Sequence, residues 1–300
     1  MFWRDLIKRL IFISLTGLGV LGNIILFVRH VNTLIKSPEK KKVDVILIHL
    51  AFVNTIIIHC VGVRYIATIF YFRNFLGVVG CKTIIYLERV ARGLSICTTC
   101  LLSVVQAVTI SPRTTLCRKL KPQTAWQVFP FLLLFWIFNF LISSNLPHYL
   151  TAARSTNRSG AGMHTEYCRM LPSRNTVKWL FITLITLRDV VFQSLMGWSS
   201  GSMALRLYKH HIRVLYLHSS RSANNSRLEI RAAQRVLILM TCFFFFYWAD
   251  FIFSFYTGFT MTHDSTILDI NAFLVLSYPG LSPFVLIVKD VHVFKPCCEL

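Results

Sequence analysis

Seven apolar runs set the terms for any fold this chain can take. They cover roughly Leu10–Val28, Val45–Val63, Ile84–Ile110, Trp126–Leu146, Val177–Leu205, Val236–Gly258 and Ile267–Val288. A helix needs about 20 mostly apolar residues to cross the hydrocarbon core of a bilayer, and each run is near or above that length. In lipid, backbone N–H and C=O groups find no water, so runs of this kind are read as transmembrane helices. The expected fold is an all-α membrane protein, a seven-transmembrane-helix bundle forming a single domain over residues 1–300. Composition agrees: 25 Phe and only 15% charged residues leave too little polar surface for a soluble chain of 300 residues. The first run follows Arg4, Lys8 and Arg9, as in a signal peptide. With no Ala before Ala51 and no small-x-small cleavage site, it is read as a retained first helix.

A net charge of +20 would suggest nucleic acid in a soluble protein. Here the charges lie in short segments between the apolar runs, so they report topology, and no nucleic-acid partner is expected; the partner they imply is the lipid bilayer. Lys and Arg are enriched in cytoplasmic loops. With the N-terminus outside, inner segments carry 18 Lys and Arg and outer segments 10. The count favours an outside N-terminus and a cytoplasmic C-terminus, although the basic N-terminus argues the other way. The sequon Asn157-Arg158-Ser159 then falls outside, as a glycosylation site. A second sequon, Asn224-Asn225-Ser226, falls inside. Cys81 and Cys168 both lie on the outer side, where oxidation is allowed. Cys297 and Cys298, just beyond the last run, are candidates for palmitoylation.

The stretch from Cys81 to Pro112 is the most informative. Glu88, Arg92, Ser95, Thr99, Ser103 and Gln106 recur at steps of three and four, which puts all six on one helix face. Lipid does not solvate such a stripe, so it should face protein or a wet cavity. Other charges at membrane depth are Arg89, Arg188, Asp189 and Asp250. Glu88 and Arg92, one turn apart, are placed to pair within their helix. Arg188 and Asp189, as sequence neighbours, are expected to point apart and to find separate partners. The set has two readings: interhelical staples, or the lining of a ligand cavity. For the second, the candidates are Glu88, Arg92 and Asp250, with Tyr247 and Tyr256 as neighbouring aromatics.

Catalysis finds no support. There is no Ser-His-Asp arrangement, no paired-aspartate GxGD setting and no Gly-rich phosphate loop. His49 and His59, ten residues apart, cannot share an ion and are read as satisfied core residues. Cys97-x-x-Cys100 inside an apolar helix reads as packing. No cofactor and no metal is expected. The segment Arg206–Arg235 is read as a basic solvated loop, open to two roles: contact with anionic lipid heads or docking of a cytosolic partner.

Longer strings carry a family resemblance. Arg89-Val-Ala-Arg92-Gly-Leu-Ser-Ile-Cys-Thr-Thr-Cys-Leu-Leu-Ser-Val-Val-Gln-Ala-Val-Thr-Ile-Ser-Pro112 is similar to the third helix of vomeronasal type 1 pheromone receptors, a family of G-protein-coupled receptors. So are Gly22-Asn23, His49-Leu-Ala-Phe-Val-Asn54, Glu166-Tyr-Cys168, Arg231-Ala-Ala and Tyr278-Pro-Gly-Leu-Ser-Pro-Phe284. The resemblance implies a pheromone-like small-molecule ligand bound within the bundle, a plasma-membrane location in a sensory neuron, and coupling to an inhibitory-class heterotrimeric G protein. It also implies a bridge between Cys81 and Cys168, a polar core involving Asn23, Asn54 and Pro279, and Ser103, Gln106 and Arg235 near the G-protein end. Glu88 is not explained by it.

Several rhodopsin-like features are missing, in keeping with that family. Helix three ends Thr109-Ile-Ser-Pro112 rather than in Asp-Arg-Tyr. Helix seven lacks Asn-Pro-x-x-Tyr, helix six reads Tyr247-Trp-Ala-Asp250, and Asn54 stands where many receptors carry a sodium-binding Asp. A bitter-taste-type receptor is the nearest alternative. A seven-span transporter or channel is the alternative from another class, against which stands the lack of two related halves.

Overall fold

In the computed structural model the described residues are 2–36, 42–69, 77–110, 127–151, 169–170, 175–216, 234, 236–250, 252–253 and 265–291. They form seven principal helices: α1 Phe2–Lys36, α2 Lys42–Ile69, α3 Gly77–Ile110, α4 Phe129–Ser143, α5 Asn175–Tyr216, α6 Val236–Asp250 and α7 Ser265–Val291. A single helical turn, Leu146–Tyr149, follows α4. The antiparallel pair β1 (Leu150–Thr151) and β2 (Arg169–Met170) completes the described elements.

Each expected run is helical over most of its described residues, but the helices do not stop where the apolar residues stop. The first apolar run is bounded at residues 10 and 28, whereas α1 covers Phe2–Lys36; the fifth ends at Leu205, whereas α5 continues to Tyr216. The segment read as a loop from Arg206 therefore begins as helix. Hydropathy marks where lipid would surround a chain, while helix hydrogen bonding carries on into water. By length and composition, Leu6–Lys36, Lys42–Ile66, Val79–Thr109 and Asp269–Ile287 are able to cross a membrane, and Phe129–Ser143 and Val236–Asp250 are shorter apolar helices. The bounds of α4 are tighter than the expected Trp126–Leu146. Pro130 sits in its first turn, where a missing N–H costs nothing, and the Ser144 N–H turns back to the Leu141 carbonyl at 3.2 Å.

Polarity is distributed inside out relative to a soluble protein. On α4, Phe131, Leu133, Leu134, Ile137, Phe138 and Leu141 are exposed, while Asn139 and Ser143 are fully buried. Apolar surface outside and polar groups inside is the arrangement a bilayer stabilises.

The α1–α7 crossing is built on small residues. A Cβ on Gly19 would lie 3.0 Å from the Cα of Gly280, and one on Gly22 would lie 2.9 Å from the Pro283 ring. Backbones this close put the Asn23 amide against α7, where Nδ2 donates to the Pro279 carbonyl at 2.9 Å. Pro283 has no N–H and so cannot serve the carbonyl four residues before it. Asn23 supplies the donor that the proline removed. Lys8 and Asp269, 3.0 Å apart, tie the same two helices near one end.

Candidate functional site

The polar stripe of α3 faces protein, as its periodicity requires. Glu88, Ser95, Thr99, Ser103 and Gln106 are buried, and Arg92 is partly so. The hydroxyls of the stripe reach three different helices. Ser95 Oγ donates to Asn54 Oδ1 of α2 at 3.3 Å, and Asn54 Nδ2 donates to Ser282 Oγ of α7 at 3.0 Å. Thr99 Oγ1 and Tyr278 Oη of α7 are 3.1 Å apart. Ser103 Oγ lies 3.5 Å from both the Met196 carbonyl and Ser200 Oγ on α5. The stripe fastens α3 to its neighbours along its depth. Ser103 and Gln106, placed by resemblance near a G-protein surface, are closed off in this arrangement, and Arg235 lies outside the residues whose side chains are described.

The charged groups form a belt one level up. Arg92 of α3 pairs with Asp250 at the end of α6 through Nη2 and Oδ2. Glu88 does not pair with Arg92, as the i, i+4 spacing suggests. Its Oε2 lies 3.1 Å from Arg64 Nη1 on α2, an ion contact without the alignment of a hydrogen bond. Each acid thus draws a guanidinium from another helix, which the α2–α3 and α3–α6 packing makes available. Arg188 and Asp189, expected to point apart, instead bond to each other. The Arg188 side chain is long enough to fold back, so Nε and Nη2 reach Asp189 Oδ1 at 2.8 and 2.7 Å. Its remaining Nη1 donates to Asn139 Oδ1 of α4 at 2.8 Å. Arg89 makes no hydrogen bond or ion pair among the described residues, though Arg92, Arg188 and Asp189 are within electrostatic reach.

Gly93 makes the Arg188–Asn139 contact possible. A Cβ there would collide with both Asn139 Oδ1 and Arg188 Nη1. Amide and guanidinium are pressed against bare α3 backbone, and the residue after Arg92 has to be glycine. Reading the sequence for charge alone misses Asn139. Asn139 carries a signal, as the one amide in the run Phe129–Ser143.

A narrow cleft with room for about one water lies beside the Arg92–Asp250 pair, lined by Arg92, Phe246, Tyr247, Asp250, Leu274 and Val275. Of the sequence candidates, Arg92, Asp250 and Tyr247 meet here. Glu88 belongs to the α2 contact instead, and Tyr256 lies outside the described residues. Tyr247 stacks on Phe243 with centroids 4.1 Å apart. Asp250 is 4% exposed, and its Oδ1 is buried without a hydrogen-bond partner.

His49 is a satisfied core residue: Trp136 Nε1 donates to its Nε2 at 2.9 Å, so Nδ1 carries the proton and donates to Thr98 Oγ1 at 3.0 Å. His59 departs from that expectation. It is exposed, with its ring turned back to the Thr55 carbonyl of its own helix. Cys97 and Cys100 are buried free thiols, and Asn139 Nδ2 lies 3.7 Å from Cys97 Sγ. Cys81 is disulfide-bonded. Cys168, Asn157, Cys297 and Cys298 lie outside the described residues.

A polar belt and glycine-built crossings within a seven-helix bundle fit a heptahelical membrane protein. The chain belongs to the vomeronasal organ pheromone receptor family, whose profile matches residues 6–299. It is 32% identical to vomeronasal type-1 receptor 4 of Homo sapiens, over 95% of each chain. Vomeronasal type-1 receptor 90 of Rattus norvegicus is 31% identical over 96% of this chain and 92% of its own. Olfactory receptor class A-like protein 1 of Danio rerio is 30% identical over 95% of this chain and 89% of its own. The protein is therefore a multi-pass membrane receptor of the G-protein-coupled kind and not an enzyme.

Proposed function

We propose that this receptor detects a small pheromone-like molecule at the plasma membrane of a sensory neuron and activates an inhibitory-class heterotrimeric G protein. The ligand binds in the bundle between α3, α6 and α7. The observation that carries this reading is the Arg92–Asp250 pair, which joins α3 to α6 inside the bundle. A ligand seated there contacts the joint between two helices, so its affinity depends on their relative position. Binding then shifts the population toward whichever arrangement it contacts better.

In this reading the N-terminus is outside and the inner ends of α3, α5 and α6 meet the G protein. Ser103 and Gln106 then transmit the change through packing, and Arg235 stands at the inner end of α6. The Cys81–Cys168 bridge fixes the outer end of α3. Its support is that Cys81 is disulfide-bonded, that β2 begins at Arg169, and that β2 pairs with β1.

Expression with a G-protein reporter, against a panel of volatile and urinary compounds, tests this function. The expected result is a ligand-dependent response abolished by pertussis toxin. Ion flux without any G-protein signal would overturn the class; a toxin-resistant response would overturn the choice of G protein.

A further inference from the structure

The outer surface of the bundle carries a groove where α1, α2 and α4 meet. Its volume is about 240 Å³, well above the roughly 150 Å³ of an apolar cavity that takes up benzene. Phe27 and Leu34 of α1, Val45 and Phe52 of α2, and Phe129 and Leu132 of α4 form its walls. Phe27, Phe52 and Phe129 stand exposed around it, while Val45 and Leu132 are buried. Among the described residues, His49 is the one polar side chain in the lining. Both of its ring nitrogens are already engaged, by Trp136 and by Thr98. The groove offers an occupant apolar contact and no hydrogen bond.

Its length suits one leaflet. Leu34 to Phe27 and Val45 to Phe52 are each seven residues, about 10 Å of helical rise, against about 15 Å for half of the hydrocarbon core. The shallow end is basic. Lys36 ends α1 and Lys42 begins α2, just beyond Leu34 and Val45. Residues 29–42 hold five Lys and Arg against one Glu. The chain between α3 and α4, which leads into Phe129, holds Arg113, Arg118, Lys119 and Lys121 and no acid.

We infer that the groove holds one acyl chain of an anionic phospholipid, whose headgroup meets Lys36, Lys42 and the basic chain before α4. An apolar slot with cations at its mouth matches the polarity of that molecule, tail in the hydrocarbon and negative charge at the surface. A sterol would bring no charge for the cations. A zwitterionic lipid would bring no net charge. The inference stands apart from the ligand and the G protein proposed above.

The test is photolabelling of the full chain in phosphatidylcholine nanodiscs. Each preparation carries the same small amount of one probe with a diazirine in its apolar part: a phosphatidylserine, a phosphatidylcholine or a cholesterol. Labelled residues are located by mass spectrometry and compared with the exposed face of α5 at Leu187 and Val191. The phosphatidylserine probe should concentrate on the walls at Phe27, Phe52 and Phe129. There it should exceed the phosphatidylcholine probe by at least roughly fivefold, the worth of one cation at the membrane surface. Lys36→Gln, at an exposed position, should cut that preference by roughly fivefold. Ile48→Trp fills the groove and should abolish the label there, whereas Leu187→Trp on α5 should leave it. Even labelling of the groove and the α5 face overturns the inference, since the groove then holds only the lipid that surrounds any span. Equal labelling by the two phospholipids overturns the headgroup assignment, and dominant cholesterol labelling overturns the occupant. If Ile48→Trp does not fold, the wild-type map and Lys36→Gln decide the matter by themselves.

Discussion

The carbonyl of Pro279 on α7 accepts from Asn23 Nδ2 on α1 at 2.9 Å. The bond repairs a vacancy created by Pro283 one turn later, and Gly22 and Gly280 allow the helices close enough for it to form. Ser282 Oγ, at 3.4 Å from the same carbonyl, is a weaker second donor. Asn23→Ala should therefore lower stability by roughly 0.6–1.7 kcal/mol, the range for hydrogen bonds between membrane helices. Thermal unfolding of the purified receptor in detergent measures it. Gly22→Leu should cost more, because the Pro283 ring cannot retreat.

At Gly93 the expected effect is larger. Gly93→Ala puts a methyl where Asn139 and Arg188 meet, so the guanidinium loses its amide partner or α3 separates from α4 and α5. Arg188 keeps Asp189, and the lost hydrogen bond to a charged group is worth about 1.5–3 kcal/mol. Surface expression should fall sharply. Normal expression and stability in Gly93→Ala would show that the three helices do not meet as described.

A charge exchange tests the α3–α6 pair. Arg92→Asp and Asp250→Arg each strand two like charges in the belt and should each reduce folded receptor at the surface by several-fold. Together they restore an ion pair of reversed sense. Recovery of at least half the lost expression in the double variant is the expected outcome, and additive losses would mean that the two residues act independently.

Sodium should have little effect. Asn54 sits where a carboxylate would coordinate the ion, and both ends of its amide are engaged, by Ser95 and by Ser282. Exchange of sodium for choline should leave the thermal midpoint within about a degree, as expected when no site binds the ion to the native state. A large sodium shift removed by Asn54→Ala would contradict this.

Topology is open to a direct check. With the N-terminus outside, Asn157→Gln should abolish a glycosidase-sensitive mobility shift, and Asn224→Gln should leave it intact. The opposite pattern would invert the receptor in the membrane.

The stripe on α3 can be read from spacing because helical periodicity is local. Steps of three and four fix a face whatever surrounds it. Its direction inward follows from lipid's inability to solvate Ser, Thr and Gln. Partner choice is not local. Glu88 is spaced for Arg92, but Arg64 and Asp250 stand within reach from α2 and α6, and each acid has its own guanidinium. The mutual bond of Arg188 and Asp189 also escapes sequence reasoning. Backbone geometry separates adjacent side chains at their bases, and only the length and rotamer of the arginine bring their ends together.

The sequence by itself determined that this is a seven-helix membrane bundle, which α3 face is buried, and which family the chain resembles. These rest on hydropathy, periodicity and contiguous strings. Only the tertiary structure decided which charges pair, that Gly93 is a socket for Asn139 and Arg188, and that Asn23 completes the proline-broken ladder of α7. The physical reason is range. Helix formation and lipid exclusion act along the chain, whereas the partners of a buried charge come from whichever helices the packing brings within about 3 Å.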